Sequence, residues 1–181
     1  MQQLHIGINL GFATLRPGVS DEEMYRNELD IAVLADKLGY DSVWAVEHHF
    51  EDYSICPDNL LVLAHLAGRT SRILLGTAAV ILPWNNPLRV AEKALMVDTI
   101  SGGRLLLGVG RGLSRKEMVP FRIPLEETRD RFDEAAPMII EALETGVIEG
   151  DGPYYPQPRA VLRPRPRGTF HGRRYCVAGS P

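Results

Sequence analysis

The sequence predicts an α/β protein built on a parallel sheet, either doubly wound or closed as a (β/α) barrel. Three observations carry that expectation. Strand-like runs alternate strictly with helical stretches. Several strand runs are almost continuously apolar, as parallel strands covered on both faces are. The helices carry start and stop residues at their ends.

Leu4-His5-Ile6-Gly7-Ile8-Asn9-Leu10 reads as the first strand. Ser20 followed by Glu23 is a capping box, and Gly39 supplies the stop of the helix that it opens. On that helix Ile31, Leu34, Ala35 and Leu38 fall at i, i+3, i+4 and i+7, which predicts one buried face. Ser42 to Val46 is the second strand, followed by a Leu/Ala-rich helix from about Pro57 to Arg69. Ile73 to Leu82 reads as one uninterrupted third strand, and Asn86-Pro87 places a cap before a proline at the first helical position. That helix runs to about Ser101. Arg104 to Gly110 is the fourth strand. Phe132, Ala135, Ala136, Ile139 and Leu143 form the stripe of the fourth helix before Gly146, with Pro137 expected to kink the helix or delay its regular part. A Pro/Arg-rich stretch over 150–170 reads as an excursion before the fifth strand, Arg174 to Ala178.

The 181 residues, 45% hydrophobic and 24% charged, are enough for one ordinary globular domain. A net charge of −3 provides no general attraction for nucleic acid or an anionic membrane. Cys56 and Cys176 lack metal-ligand spacing and are too few for a disulfide scaffold; both are expected to be buried thiols in a reducing cytosol. Met1 to His5 shows no basic segment leading into an apolar one, and no apolar run approaches the roughly 20 residues of a membrane helix. A cytoplasmic protein is expected.

Glu47-His48-His49-Phe50 follows the second strand, where a parallel barrel assembles its active site. Adjacent residues there point in different directions, and no His or Asp at the next strand ends completes a metal set. Gly108-Val109-Gly110-Arg111-Gly112 lacks the third glycine of a dinucleotide fingerprint and does not follow the first strand. It fits better as a strand end where backbone approaches a ligand closely, with Arg111 as a fork for phosphate or carboxylate. Arg129 is a second such fork or, equally well, a solvated helix residue.

Those residues stand in a larger pattern: Glu47-His48-His49-Phe50, Gly76-Thr77-Ala78-Ala79 leading to Leu82-Pro83, Pro87 with Ala91-Glu92, Asp98 with Ser101-Gly102-Gly103-Arg104, and Gly110-Arg111-Gly112-Leu113. In this order and at these intervals they resemble the bacterial-luciferase-like flavin-dependent monooxygenases, especially the luciferase α-type branch. The resemblance spans nearly the whole sequence. It implies an eight-stranded (β/α)8 TIM barrel, of which these residues supply about the first five strands and four helices as a single incomplete domain over 1–181.

The resemblance also implies reduced FMN and molecular oxygen as reactants, a small organic substrate such as an aldehyde, a flavin reductase as supplier of reduced FMN, and a homo- or heterodimer. By position, His48 matches the catalytic histidine and Ala78-Ala79 a flavin-contacting non-proline cis peptide. Gly110 falls where the luciferase α chain has a cysteine beside the flavin. Arg111, Arg129 and Ser180 match residues around the flavin phosphate. Gly179 replaces a glutamate, and Glu117 stands in place of an aspartate. The F420-dependent oxidoreductases of the same superfamily share the barrel and its phosphate-binding elements, although Glu47-His48-His49-Phe50 favours the FMN branch. A flavin-binding homologue or fragment without activity is the remaining alternative.

Overall fold

In the computed structural model, residues 4–14, 17–168 and 170 are described, together with the backbone of 175–178. Strand β1 (Gly7–Leu10) leads to helix α1 (Asp21–Leu38), β2 (Ser42–Ala45) to α2 (Asn59–Arg69), and β3 (Leu74–Thr77) to a short β4 (Val80–Ile81). A 3-10 turn (Leu82–Trp84) then enters α3 (Pro87–Ile100). After β5 (Leu105–Gly110) come α4 (Arg115–Met118), a second 3-10 turn (Leu125–Glu127) and α5 (Thr128–Thr145). The hairpin β6 (Val147–Gly150) and β7 (Gln157–Val161) precedes β8 (Tyr175–Ala178).

The predicted parallel α/β sheet is present: β1, β2, β3 and β5 pair in that order, and β8 joins β5 on its other side. Among the described residues, β1 and β8 each have one sheet partner, so the strands form an open sheet and not a closed barrel. Helix caps follow the sequence reading closely. Ser20 Oγ accepts from Glu23 N–H, Asn86 caps α3 with Pro87 as its first residue, and Gly39 and Gly146 end α1 and α5 in the left-handed region; Asp58, for which the sequence reading named no role, caps α2.

Four expectations change. The run Ile73 to Leu82 is not one strand. Its ladder pairs Gly76 with Leu106 and then Val80 with Val109, so three residues on one strand oppose two on the other. This one-residue bulge contains a cis Ala78-Ala79 peptide. The Thr77 hydroxyl repairs the interrupted ladder, donating to the Gly108 carbonyl at 2.7 Å and accepting from the Gly108 N–H at 2.8 Å.

The buried face of α1 also differs. Ala35 is inside, but Ile31, Leu34 and Leu38 are 43%, 52% and 67% exposed, while Met24 and Ala32 point inward. Consecutive helical residues are about 100° apart, so a rotation smaller than one residue step lets the small Ala32 and Ala35 approach the sheet and leaves the bulkier ridge outside. Pro137 does not delay α5, which is helical from Thr128 to Thr145. The proline lies on the exposed side, where water can satisfy the carbonyl that it leaves without a partner. Finally, the excursion over 150–170 supplies the second strand of the β6–β7 hairpin, whose connecting loop is pinned by the Glu134 carboxylate accepting from the Tyr154 and Tyr155 N–H groups and by the Tyr155 hydroxyl donating to the Pro83 carbonyl.

At the opposite end of the strands, Arg104 ties the loops together. Its guanidinium reaches the carbonyls of Ala67, Thr70, Ile73 and Ser101 and the Thr70 hydroxyl. This accounts for the arginine of the Ser-Gly-Gly-Arg motif as a structural clamp remote from the strand ends that carry Glu47 and Gly110.

Candidate functional site

A cavity of about 540 Å³ opens at the C-terminal ends of β2, β3–β4 and β5. Its walls include Trp44, His48, Ala78, Ala79, Gly110 and Arg111, so five of the predicted site residues meet there, in company with Trp44. The volume lies within the roughly 300–1,000 Å³ usual for small-molecule and cofactor pockets. Small residues make the approach possible. A Cβ at Gly76 would stand 2.3 Å from the Trp44 ring, and one at Gly108 would stand 2.1 Å from the Thr77 carbonyl oxygen.

His48 is placed by two elements. Its own N–H donates to the Cys56 carbonyl, fixing the loop after β2. Its Nδ1 lies 3.0 Å from Oε1 of Glu117, a buried residue of α4 whose same oxygen accepts the His49 N–H at 2.8 Å. An ionised carboxylate only accepts, so this contact puts the proton on Nδ1 and leaves Nε2 to take or release a proton. Glu117 thereby gains a role that matching it to an aspartate did not reveal.

Glu47 has a different task. Its buried carboxylate accepts from the Trp84 indole N–H at 2.7 Å, the Asn85 amide at 3.1 Å and the Ile81 N–H at 3.2 Å. It fastens the segment after the cis peptide to β2. Phe121 stacks on Trp84 at 5.0 Å with ring planes 13° apart and meets His49 edge-on at 4.7 Å, joining the segment after α4 to the same assembly. His49 is thus a packing residue behind His48. Cys56, buried below this loop, has its thiol pushed up to about 12 by burial, with the Glu47 charge adding to the effect. Such a thiol stays protonated and unreactive near neutrality.

Arg111 lines the cavity directly after Gly110. Arg129 is exposed in the first turn of α5 and is not among the lining residues. Gly179 and Ser180 lie outside the described residues, although β8 ends at Ala178, paired with Gly110. Among the described residues no group of three or more His, Cys, Asp or Glu is arranged to hold a metal ion, and no helix is long and apolar enough to cross a membrane.

Comparison with known proteins identifies the family. The family model described as luciferase-like monooxygenase matches residues 5–181. The alkanal monooxygenase alpha chain of Photobacterium leiognathi is 33% identical over 80% of this chain and 41% of its own length. The oxygenase component of the flavin-dependent trigonelline monooxygenase of Acinetobacter baylyi is 31% identical over 81% and 41%, respectively. The crystal structure of monooxygenase RslO1 from Streptomyces bottropensis superposes with a TM-score of 0.81 at 36% identity, covering 96% of this chain and 53% of that one. The chain therefore spans about two fifths to one half of the length of these relatives. With that match over residues 5–181, and with His48, the cis Ala78-Ala79 bond and Arg111 around one cavity, the chain belongs to the luciferase-like monooxygenase family.

Proposed function

We propose that this chain forms the flavin-facing wall and carries the proton-transfer residue of a monooxygenase that uses reduced FMN and O2. Its substrate is a small organic molecule such as an aldehyde, and a separate flavin reductase supplies the reduced FMN. The observation that carries this reading is His48, oriented through Nδ1 by buried Glu117, at the wall of the cavity that also contains the cis peptide and Arg111. The residues fit a flavin. Trp44, Ala78, Ala79 and Gly110 offer a largely apolar surface for a ring system, and Arg111 offers a charged fork at the strand end.

FMN, when bound, supplies the redox chemistry with oxygen. The chain's own residues bind and orient. Ala78, Ala79 and Gly110 would hold the ring, Arg111, Arg129 and Ser180 would hold the phosphate, and His48 Nε2 would accept or return the proton that the reaction moves. Arg129 stands in the first turn of α5, where the helix dipole adds to its positive field. The apolar lining keeps water from the reacting atoms.

Titration of FMN, riboflavin and F420 tests the reading. Tighter binding of FMN than of either alternative supports it, and Arg111→Ala or Arg129→Ala should weaken FMN more than riboflavin. Preferred binding of F420 would move the chain to hydride transfer, and equal losses for the two flavins would exclude a phosphate contact.

A further inference from the structure

Past the hairpin turn, the Pro/Arg-rich segment takes no part in the cavity. All 23 acidic residues of the sequence precede residue 152, and the six charged residues that follow it are all arginine. Four of these are described and exposed: Arg159 in β7, then Arg163, Arg165 and Arg167, with Pro164 and Pro166 between them. None of the four guanidinium groups makes an ion pair or a hydrogen bond to another described residue. Arg69, Arg72, Arg104 and Arg131, by contrast, each reach a carboxylate or a carbonyl. The prolines fix the backbone that presents the charges. Like charges so placed repel one another, a cost that an anionic partner would remove.

The same segment has a free edge. Among the described residues β7 pairs only with β6. Leu162 N–H donates to the Gly146 carbonyl, on the β6 side. Backbone groups alternate in direction along a strand, so Arg159 and Val161 aim their N–H and C=O groups away from β6. Side chains alternate as well: Ala160 and Leu162 turn toward the core, whereas Arg159 and Val161 share the outer face, with Val161 60% exposed.

We propose that this edge is a docking strip for an extended acidic segment of another protein, which adds to β7 as an antiparallel strand. A residue set opposite Arg159 or Val161 presents its side chain to the same outer face. Glutamates at alternate positions therefore meet the guanidinium groups while their own N–H and C=O groups extend the ladder. Other occupants fit less well. A second copy pairing β7 with β7 sets arginine beside arginine. A nucleic acid finds no aromatic ring between the arginines on which a base could stack, and beyond the strip it meets a surface that holds all the acidic residues. A membrane finds only Val161 as an exposed large apolar side chain among the described residues of the strip. No flavin takes part.

Fluorescence anisotropy at low salt tests this with the 181-residue chain and a labelled peptide of alternating glutamate and threonine. Affinity should fall about tenfold in the double variant Arg159→Gln, Arg163→Gln, whose exposed positions leave the core intact. Methylating the backbone nitrogen of each glutamate keeps the charge but removes the N–H groups that face β7, and should cost about tenfold as well. Arg26→Gln, at an exposed arginine of α1, should leave affinity unchanged. Hydrogen exchange at the Val161 N–H should slow when the peptide binds. A peptide that fails to bind, that binds the double variant or binds in its methylated form as tightly as before, or that leaves Val161 exchange unaltered overturns the proposal. So does an equal loss in Arg26→Gln, a single-stranded oligonucleotide that binds more tightly than the peptide, or self-association that the double variant abolishes.

Discussion

Replacing Gly108 by alanine probes the joint on which the cavity depends. The added Cβ would stand 2.1 Å from the Thr77 carbonyl oxygen and 3.2 Å from its carbonyl carbon. Those atoms are backbone, held between β2 and β5, so no side-chain rotation relieves the contact, and about 1 Å of separation must come from moving the strands apart. That movement stretches both bonds between the Thr77 hydroxyl and Gly108, now 2.7 and 2.8 Å. Overpacking of a tight interior costs roughly 1–3 kcal/mol, and two weakened hydrogen bonds add about 0.5–1.5 kcal/mol each. The expected loss is about 2–6 kcal/mol. The same substitution at Gly68, exposed in α2 with nothing within 4 Å of the added Cβ, should instead stabilise by about 0.5–1 kcal/mol through helix propensity. Urea denaturation of the two variants beside the parent chain measures both. A Gly108→Ala protein within 0.5 kcal/mol of the parent, on the scale of a neutral surface change, would show that the sheet yields freely here and that the strand joint does not shape the cavity.

Other consequences follow from the polar contacts. In a form that turns over substrate, His48→Ala should lower product formation by about 10² to 10⁴-fold with little change in FMN affinity; unaltered turnover would remove His48 from the mechanism. Glu117→Gln retains the shape but offers the His48 Nδ1–H a weaker acceptor, so the Nδ1–H, followed by NMR, should exchange faster with solvent than in the parent chain, and an unchanged rate would show that Glu117 does not hold the ring. Burial pushes the Asp36 carboxyl up, but hydrogen bonds from the Ser71, Ile73 and Arg72 N–H groups outweigh it and hold the pKa below the ordinary value. Its contribution is therefore present above about pH 4, the unfolded value, and lost as pH falls through the lower folded one; the melting temperature of Asp36→Asn should be less acid-sensitive than the parent's. With its thiol near 12, Cys56 in a Cys176→Ser chain should resist a thiol reagent at pH 8 until urea unfolds it, and rapid modification of the folded chain would contradict its burial.

What was legible in the sequence was what neighbouring residues decide. Ser20, Asn86, Gly39 and Gly146 act within a turn of their own helix, and each does so here. The third strand was misread because its interruption is only faintly written locally: Ile73 to Leu82 holds a single glycine, Gly76, which makes room for the Trp44 ring, and the chain is diverted after it by groups on other strands. Glu117 reaches His48 across 69 positions, and Glu47 holds Ile81 across 34. Neither pairing leaves a periodic trace. The α1 face was misjudged for a related reason, since hydrophobicity alone favours Ile31 and Leu34, whereas a close approach to the sheet selects the smaller Ala32 and Ala35.

A signal for these distant partners was nevertheless present. Glu47 and Thr77 are polar residues in or at the end of strands expected to be covered on both faces, and such a residue has to find a hydrogen-bonding partner that its own strand does not supply. The partners lie across the sheet, at its C-terminal edge, where strands end and backbone groups fall free. Polar residues at the ends of apolar strands thus mark the joints between strands, and here the joints are the walls of the cavity. That is why Glu47, His48 and Thr77 come together at the site although only the histidine was singled out for its chemistry.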